Sequence, residues 1–351
     1  MKIEVHSPTI RRKEMDAVLT AMVEDKIGPG ERSKLLLQTA KEHLRFDYAL
    51  ALRSPATALH LALKALNLAD GDGVLISALS PRYYAQVLAD MRLKPLYSDV
   101  SFSFPCISRE GIEKTIITKP SGIEPRCIVL HHTLGYTPDT AAICSLGIPV
   151  IEDISQSYCP LEASLSAQTT ASEAAHGVLT ILGLEEKDML TSGGGALLFA
   201  MNRKDGSLLR SYSNIPPEYC LPDINAALAA VQFREAARNM ARRQEIAQAY
   251  TQASLSTKHK RFVSLDGIEY NNYAFPLVLE TGMKEVTSYA RKKEIIVENA
   301  FEQSLAGSGI IDSVLCPASY SLSLRTVLFP LYPRLRSQDA QRVSRLIMTL
   351  P

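Results

Sequence analysis

Along the first 200 or so residues, short continuous apolar runs alternate with longer stretches in which apolar positions recur every three to four residues. The longer spacing draws one apolar stripe along a helix, and the continuous runs suit strands buried on both faces. The helical spacing predicts helices over RRKEMDAVLTAMVEDK (11–26), RSKLLLQTAKEHL (32–44) and ATALHLALKALNL (56–68). The apolar runs predict strands at YALALR (48–53), GVLIS (73–77), KPLYSDV (94–100), CIVLHH (127–132), PVIEDIS (149–155), GVLTIL (177–182) and GALLFAM (195–201). Ser54 and Pro55 sharpen one boundary, because serine is a good N-cap and proline fits the first helical position. Strands spaced by helices point to an α/β fold, a mostly parallel sheet with helices on both faces.

The pattern changes near residue 221. Helical spacing over 221–254 predicts one long helix, started by Pro222. Beyond it, strands at 273–280 and 325–332 mix with helices at 284–293 and 337–350. The reading is a large domain over 1–235 and a smaller C-terminal α+β domain over 236–351, joined through the long helix.

Composition narrows the class. The 351 residues are 46% hydrophobic, enough for a sizeable core and about two domains. A net charge of +1 gives no nucleic-acid footprint. No apolar run reaches the roughly 18 residues of a membrane span, and MKIEVHSPTIRRKEM has no signal-like apolar core. Six scattered cysteines include no C-x-x-C, so neither a zinc site nor a disulfide framework is expected. A cytoplasmic protein without a metal follows as the expectation.

In open parallel sheets, ligands sit beyond the carboxyl ends of the strands. Asp153, Gln156 and His132 fall at such ends, and Lys187 lies just past another, in GLEEKDMLTSGGGALL (183–198). Ser54 and Thr57 stand where a strand turns into a helix, a place that favours anions. Each has a plainer explanation. Asp153 and Ser54 could serve as helix caps, His132 as a satisfied buried histidine, Lys187 as a solvated loop residue, and Gly193–Gly195 as a tight turn.

The order of these segments decides between the two. SPATALHLALKAL (54–66), KPLYSDV, HTLGYTPD (132–139), IEDISQSY (151–158), KDMLTSGGGALL (187–198), LPDINAALAAVQF (221–233) and RTVLFPLYPRL (325–335) together resemble the DegT-type (DegT/DnrJ/StrS) sugar aminotransferases. The resemblance runs over nearly the whole chain. It implies the fold-type-I architecture, a three-layer αβα large domain, and pyridoxal 5′-phosphate (PLP) as cofactor. By the same resemblance, Lys187 carries PLP covalently, and Asp153 pairs with its ring nitrogen. Gln156 bonds its phenolic oxygen, His132 lies near the ring, and Ser54 and Thr57 offer donors at the phosphate. The glycines let the backbone pass close to the ring. The implied reaction is ping-pong transfer from an amino donor such as glutamate to a keto sugar on a nucleotide. The implied assembly is a homodimer with sites at the interface.

Departures concentrate at the phosphate. The family's Gly-Thr is Pro55-Ala56, its serine five before the lysine is Leu182, and its acidic residue before the paired glycines is Gly193. An asparagine and an arginine that reach the phosphate from the neighbouring subunit align with Glu218 and Cys220. The stacking aromatic aligns with Pro81, with Tyr83 and Tyr84 nearby. Two readings follow: an aminotransferase with an altered phosphate site and weakened PLP binding, or a cofactor-free relative that acts by binding. A PLP dehydratase is the third, and Lys187 opposes it because such family members carry histidine there.

Overall fold

The computed structural model describes residues 2–160, 177–265, 270–280 and 282–351. The chain runs α1 (Arg12–Val23), α2 (Glu31–Leu44), β1 (Tyr48–Leu52), α3 (Pro55–Ala65), β2 (Gly73–Ser77), α4 (Tyr83–Asp90), β3 (Lys94–Ser98), α5 (Arg109–Thr118), β4 (Pro125–His131), α6 (Thr140–Cys144), β5 (Val150–Asp153), β6 (Leu179–Gly183), β7 (Ala196–Ala200) and α7 (Arg203–Arg210). It continues with α8 (Asp223–Ser254), β8 (Phe275–Val278), α9 (Met283–Lys292), β9 (Glu298–Asn299), α10 (Pro317–Arg325), β10 (Thr326–Phe329) and α11 (Ser337–Met348).

Seven strands form one sheet in the order β1-β7-β6-β5-β4-β2-β3. β7 pairs antiparallel with both neighbours, and the other pairings are parallel. This is the expected mostly parallel α/β sheet. The burial of β2, β5, β6 and β7 at every position explains their unbroken apolar runs. The exception, β7, is joined to β6 by residues 184–195, which include no helix to cross over the sheet, and it returns antiparallel. Leu184 closes that loop, accepting from Ser192 N–H at 2.9 Å and Gly194 N–H at 3.1 Å while donating to the Gly195 carbonyl at 2.8 Å.

The expected start of α3 is present. Ser54 has extended backbone, its Oγ accepts the Thr57 N–H at 3.1 Å, and Pro55 is the first helical residue. α8 links two cores. Its first half contributes Ala226, Ala230 and Phe233 to the core beneath β6 and β7. Its second half contributes Ile246, Ala247 and Tyr250 to a core with the antiparallel sheet β8-β10-β9. Asp223, at its start, also caps α2: its carboxylate accepts the N–H groups of Gly30, Arg32 and Ser33 at 2.9–3.0 Å. Among the described residues, no helix is long and apolar enough to cross a membrane.

Candidate active site

A cavity of about 310 Å³ opens beyond the carboxyl ends of β4, β5 and β6, where an open parallel sheet places its ligands. Asp153, Gln156 and Lys187 all line it, so the structure brings three of the expected residues together. The small antiparallel sheet closes one side with Glu298, and the N-terminal segment adds His6.

Asp153 ends β5 and is 1% exposed. Its Oδ1 accepts the Ser155 N–H at 3.0 Å and the Ser155 hydroxyl. Its Oδ2 accepts the Tyr84 hydroxyl at 2.6 Å and the Tyr83 hydroxyl at 3.3 Å. Such bonds hold a carboxylate in one orientation, and hydrogen bonds to a charged acceptor are the strong kind. Tyr84 is fully buried beneath the cavity, whereas Tyr83 lines it. Burial and the adjacent Asp153 push both phenols well above their ordinary range, so both stay protonated donors.

Lys187 stands at the tip of the β6–β7 loop, its side chain 59% exposed. Its Nζ donates to Glu298 Oε2 at 3.2 Å, and its backbone carbonyl accepts the Tyr273 hydroxyl at 2.8 Å. The tip is therefore fixed from the small sheet's side while the amine stays at the rim. The glycines take no part in the cavity wall. Gly193, Gly194 and Gly195 turn the chain with φ of 73°, 140° and 126°, and a Cβ on Gly195 would collide with Leu221 Cδ1. The close approach in this turn is that of Gly195 to Leu221.

Gln156 holds the turn after β4. Its Oε1 accepts the Leu134 N–H at 2.6 Å, at a left-handed residue with φ of 55°. With the oxygen so used, the amide NH₂ is the group left to donate into the cavity.

His132 departs from expectation. Strand alternation sends His131 and His132 to opposite faces. His131 is in register with Asp153 and lines the same cavity. His132 turns to the other face, where its Nδ1 meets Ser157 Oγ at 2.7 Å and its Nε2 lies 3.3 Å from Glu152 Oε2. It lines a separate cavity of about 370 Å³ with Glu152, Tyr158 and Thr180. The histidine beside Asp153 is His131, its pKa lowered to about 4 by burial, hence neutral. Leu182 is out of the cavity for the same reason: Ile181 is in register with Asp153, and Leu182 packs into the opposite core.

Ser54 and Thr57 do not face the cavity with free hydroxyls. Ser54 Oγ and Thr57 Oγ1 bond each other at 2.9 Å, and Pro55 is the α3 residue at the wall. Glu218 is exposed in the turn Pro217–Tyr219.

Several wall residues carried no local signal. His6 and Glu298 reach the site from far along the chain. Burial and the Lys187 charge lower the His6 pKa to about 4, so it too is neutral. Asp188 packs its carboxyl against Gly183 and accepts the Glu185 N–H at 2.8 Å. Burial, with Asp153 and Glu185 nearby, raises its pKa to about 8. The folded protein therefore holds this proton where an unfolded carboxyl, near 3.8, releases it. The stability Asp188 contributes is complete below about pH 4 and is lost as pH rises through about 8. Denaturant titrations across that window are expected to show the decline, and Asp188→Asn to flatten it.

The DegT/DnrJ/EryC1/StrS aminotransferase family matches residues 8–348, and the chain belongs to that family. Its aminotransferases bind PLP. Solved structures share the fold. The aminotransferase TlmJ from Streptoalloteichus hindustanus superposes with a TM-score of 0.84 at 19% identity, covering 99% of this chain and 98% of that one. Spr1654 from Streptococcus pneumoniae, solved in PLP, PMP and apo forms, gives 0.84 at 16% identity over 100% and 98%. The GDP-4-keto-6-deoxymannose-3-dehydratase ColD, with bound GDP-perosamine, gives 0.81 at 13% over 98% and 100%.

The wall fits the two halves of PLP unequally. Asp153, Lys187 and the Gln156 amide suit the ring: an oriented carboxylate, an amine at the rim and a donor. At the phosphate end the donors are few, since Pro55 has no N–H and the bond between the Ser54 and Thr57 hydroxyls uses one of their two O–H groups.

Proposed function

We propose that this protein is a PLP-dependent aminotransferase moving an amino group from an amino-acid donor such as glutamate to a keto sugar, carried on a nucleotide, by ping-pong exchange. The observation that carries the reading is Lys187 and Asp153 on the wall of one cavity, beyond the ends of parallel strands. PLP, when bound, supplies an electron sink that stabilises negative charge developing next to the transferred nitrogen. Asp153, fixed by Tyr84 and Ser155, holds a proton on the ring nitrogen. Lys187 Nζ binds the cofactor's carbonyl carbon and afterwards moves a proton at the reacting carbon, from a rim position that Glu298 restrains. Gln156 donates to the ring's oxygen. The active form is proposed as a cytoplasmic homodimer with sites at the subunit interface.

Incubation with glutamate and a panel of nucleotide-linked keto sugars tests this. The expected result is an amino sugar and an equal amount of 2-oxoglutarate, with each half-reaction observable alone. No transfer to any of the sugars, with the protein folded and PLP supplied, would contradict it. The mutual Ser54–Thr57 bond at the emptied cradle favours the second reading, a relative that binds a sugar nucleotide without cofactor chemistry.

A further inference from the structure

The phosphate end of the cavity is where this chain differs most from a cradle. A helix start offers an anion its free backbone N–H groups. At α3 they can be counted. Pro55, the first helical residue, has none. The Thr57 N–H is taken by Ser54 Oγ at 3.1 Å, and the Ala58 N–H by the Ser54 carbonyl at 3.0 Å. Ala56 alone is left. The Ser54 and Thr57 hydroxyls bond each other, which leaves one O–H between them. β6 turns Ile181 and Gly183 toward the Asp153 face, and neither has a side-chain donor. Charge adds to this. The wall carries the carboxylates of Asp153, Glu185, Glu298 and Glu302, with Asp188 holding its proton, and Lys187 as its one lysine or arginine among the described residues. A phosphate, with about 1.5–2 negative charges, meets a surface of its own sign.

We infer that this chain holds its cofactor by the ring and by Lys187, with no dedicated phosphate cradle, so that it binds unphosphorylated pyridoxal about as well as PLP. The inference rests on the PLP reading above and deepens it. Attachment is the same for either aldehyde: Lys187 Nζ attacks the carbonyl carbon, a C=N bond forms, and the carbonyl oxygen leaves as water with the two nitrogen-bound protons. Nothing in this step uses the phosphate. A charge-assisted hydrogen bond changes a binding constant by roughly 10- to 150-fold, so a cradle of three such bonds separates PLP from pyridoxal by about 10³-fold or more.

The test is a pair of absorbance titrations of the full-length protein, with PLP and with pyridoxal, each followed by borohydride reduction to count pyridoxyl groups per chain. Dissociation constants within about tenfold of each other are expected. The double variant Pro55→Gly, Ala56→Thr returns an N–H and a hydroxyl to the α3 start. It is expected to tighten PLP by about tenfold or more and to leave pyridoxal unchanged, the pyridoxal value serving as the check on folding. PLP binding about 10³-fold tighter than pyridoxal in the unmodified chain would overturn the inference and leave the PLP reading standing. Binding of neither would overturn both.

Discussion

Lys187→Ala is expected to reduce amino transfer by at least about 10³-fold, within the range set by loss of a positioned proton-transfer group. Stability should hardly change. The side chain is 59% exposed, and its ion pair to Glu298 is of the surface kind that contributes about 0–1 kcal/mol. A mechanism-bearing residue thus separates cleanly from a structural one here: activity falls and the melting temperature stays. Lys187→Arg sharpens the point. Arginine keeps the positive charge and can keep the Glu298 pair, yet its guanidinium stays protonated and cannot serve as a nucleophile. It is expected to be as inactive as alanine. If the arginine variant retained transfer, the lysine would matter only as a charge. Steady-state assays with melting curves on the same samples decide this, and unchanged transfer in Lys187→Ala would remove the residue from the chemistry.

Asp153 should show the opposite balance, with activity and stability both affected. Asp153→Ala strips the acceptor from the buried Tyr84 hydroxyl and from the Ser155 N–H and hydroxyl. Bonds to charged groups are worth about 1.5–3 kcal/mol each, and stranded buried donors add to the cost, so a loss of about 3–5 kcal/mol is expected. In a chain of this length that is a drop of several degrees in melting temperature. Asp153→Asn keeps one acceptor oxygen and the side chain's shape. Its stability loss should be the smaller of the two, while transfer still falls at least about 10²-fold because the charge facing the ring nitrogen is gone. Tyr84→Phe provides the comparison: it removes one donor and leaves the carboxylate. Thermal melts and transfer assays on the three variants measure both effects. An active Asp153→Asn protein would contradict the assigned role.

Much of this architecture was legible because its determinants are local. Unbroken apolar runs mark strands buried on both faces, and Ser54-Pro55 marks a helix start by capping chemistry alone. The placement of Asp153 and Lys187 at one end of the sheet is legible because the carboxyl ends of parallel strands are readable once the strands are. What stayed hidden depends on phase or on distance along the chain. His131 and His132 are adjacent in sequence, and only the register that matches His131 with Asp153 shows which of them faces the cavity. The same one-residue parity removes Leu182 from the cavity and sends it into the core. Ser54 is legible as a cap, but its bond to the Thr57 hydroxyl is not, because two hydroxyls three residues apart can face a ligand or each other. His6 and Glu298 join the wall from opposite ends of the sequence, and β9, which carries Glu298, is two residues long. No periodicity can be read from so short a strand.

The most direct test of the central claim is where PLP attaches. The purified protein is incubated with PLP, reduced with borohydride, digested, and its peptides are mapped by mass. One pyridoxyl group per chain is expected, on the peptide containing Lys187, and none in Lys187→Ala. A protein that stays unlabelled at saturating PLP, or is labelled only at other lysines, would contradict it.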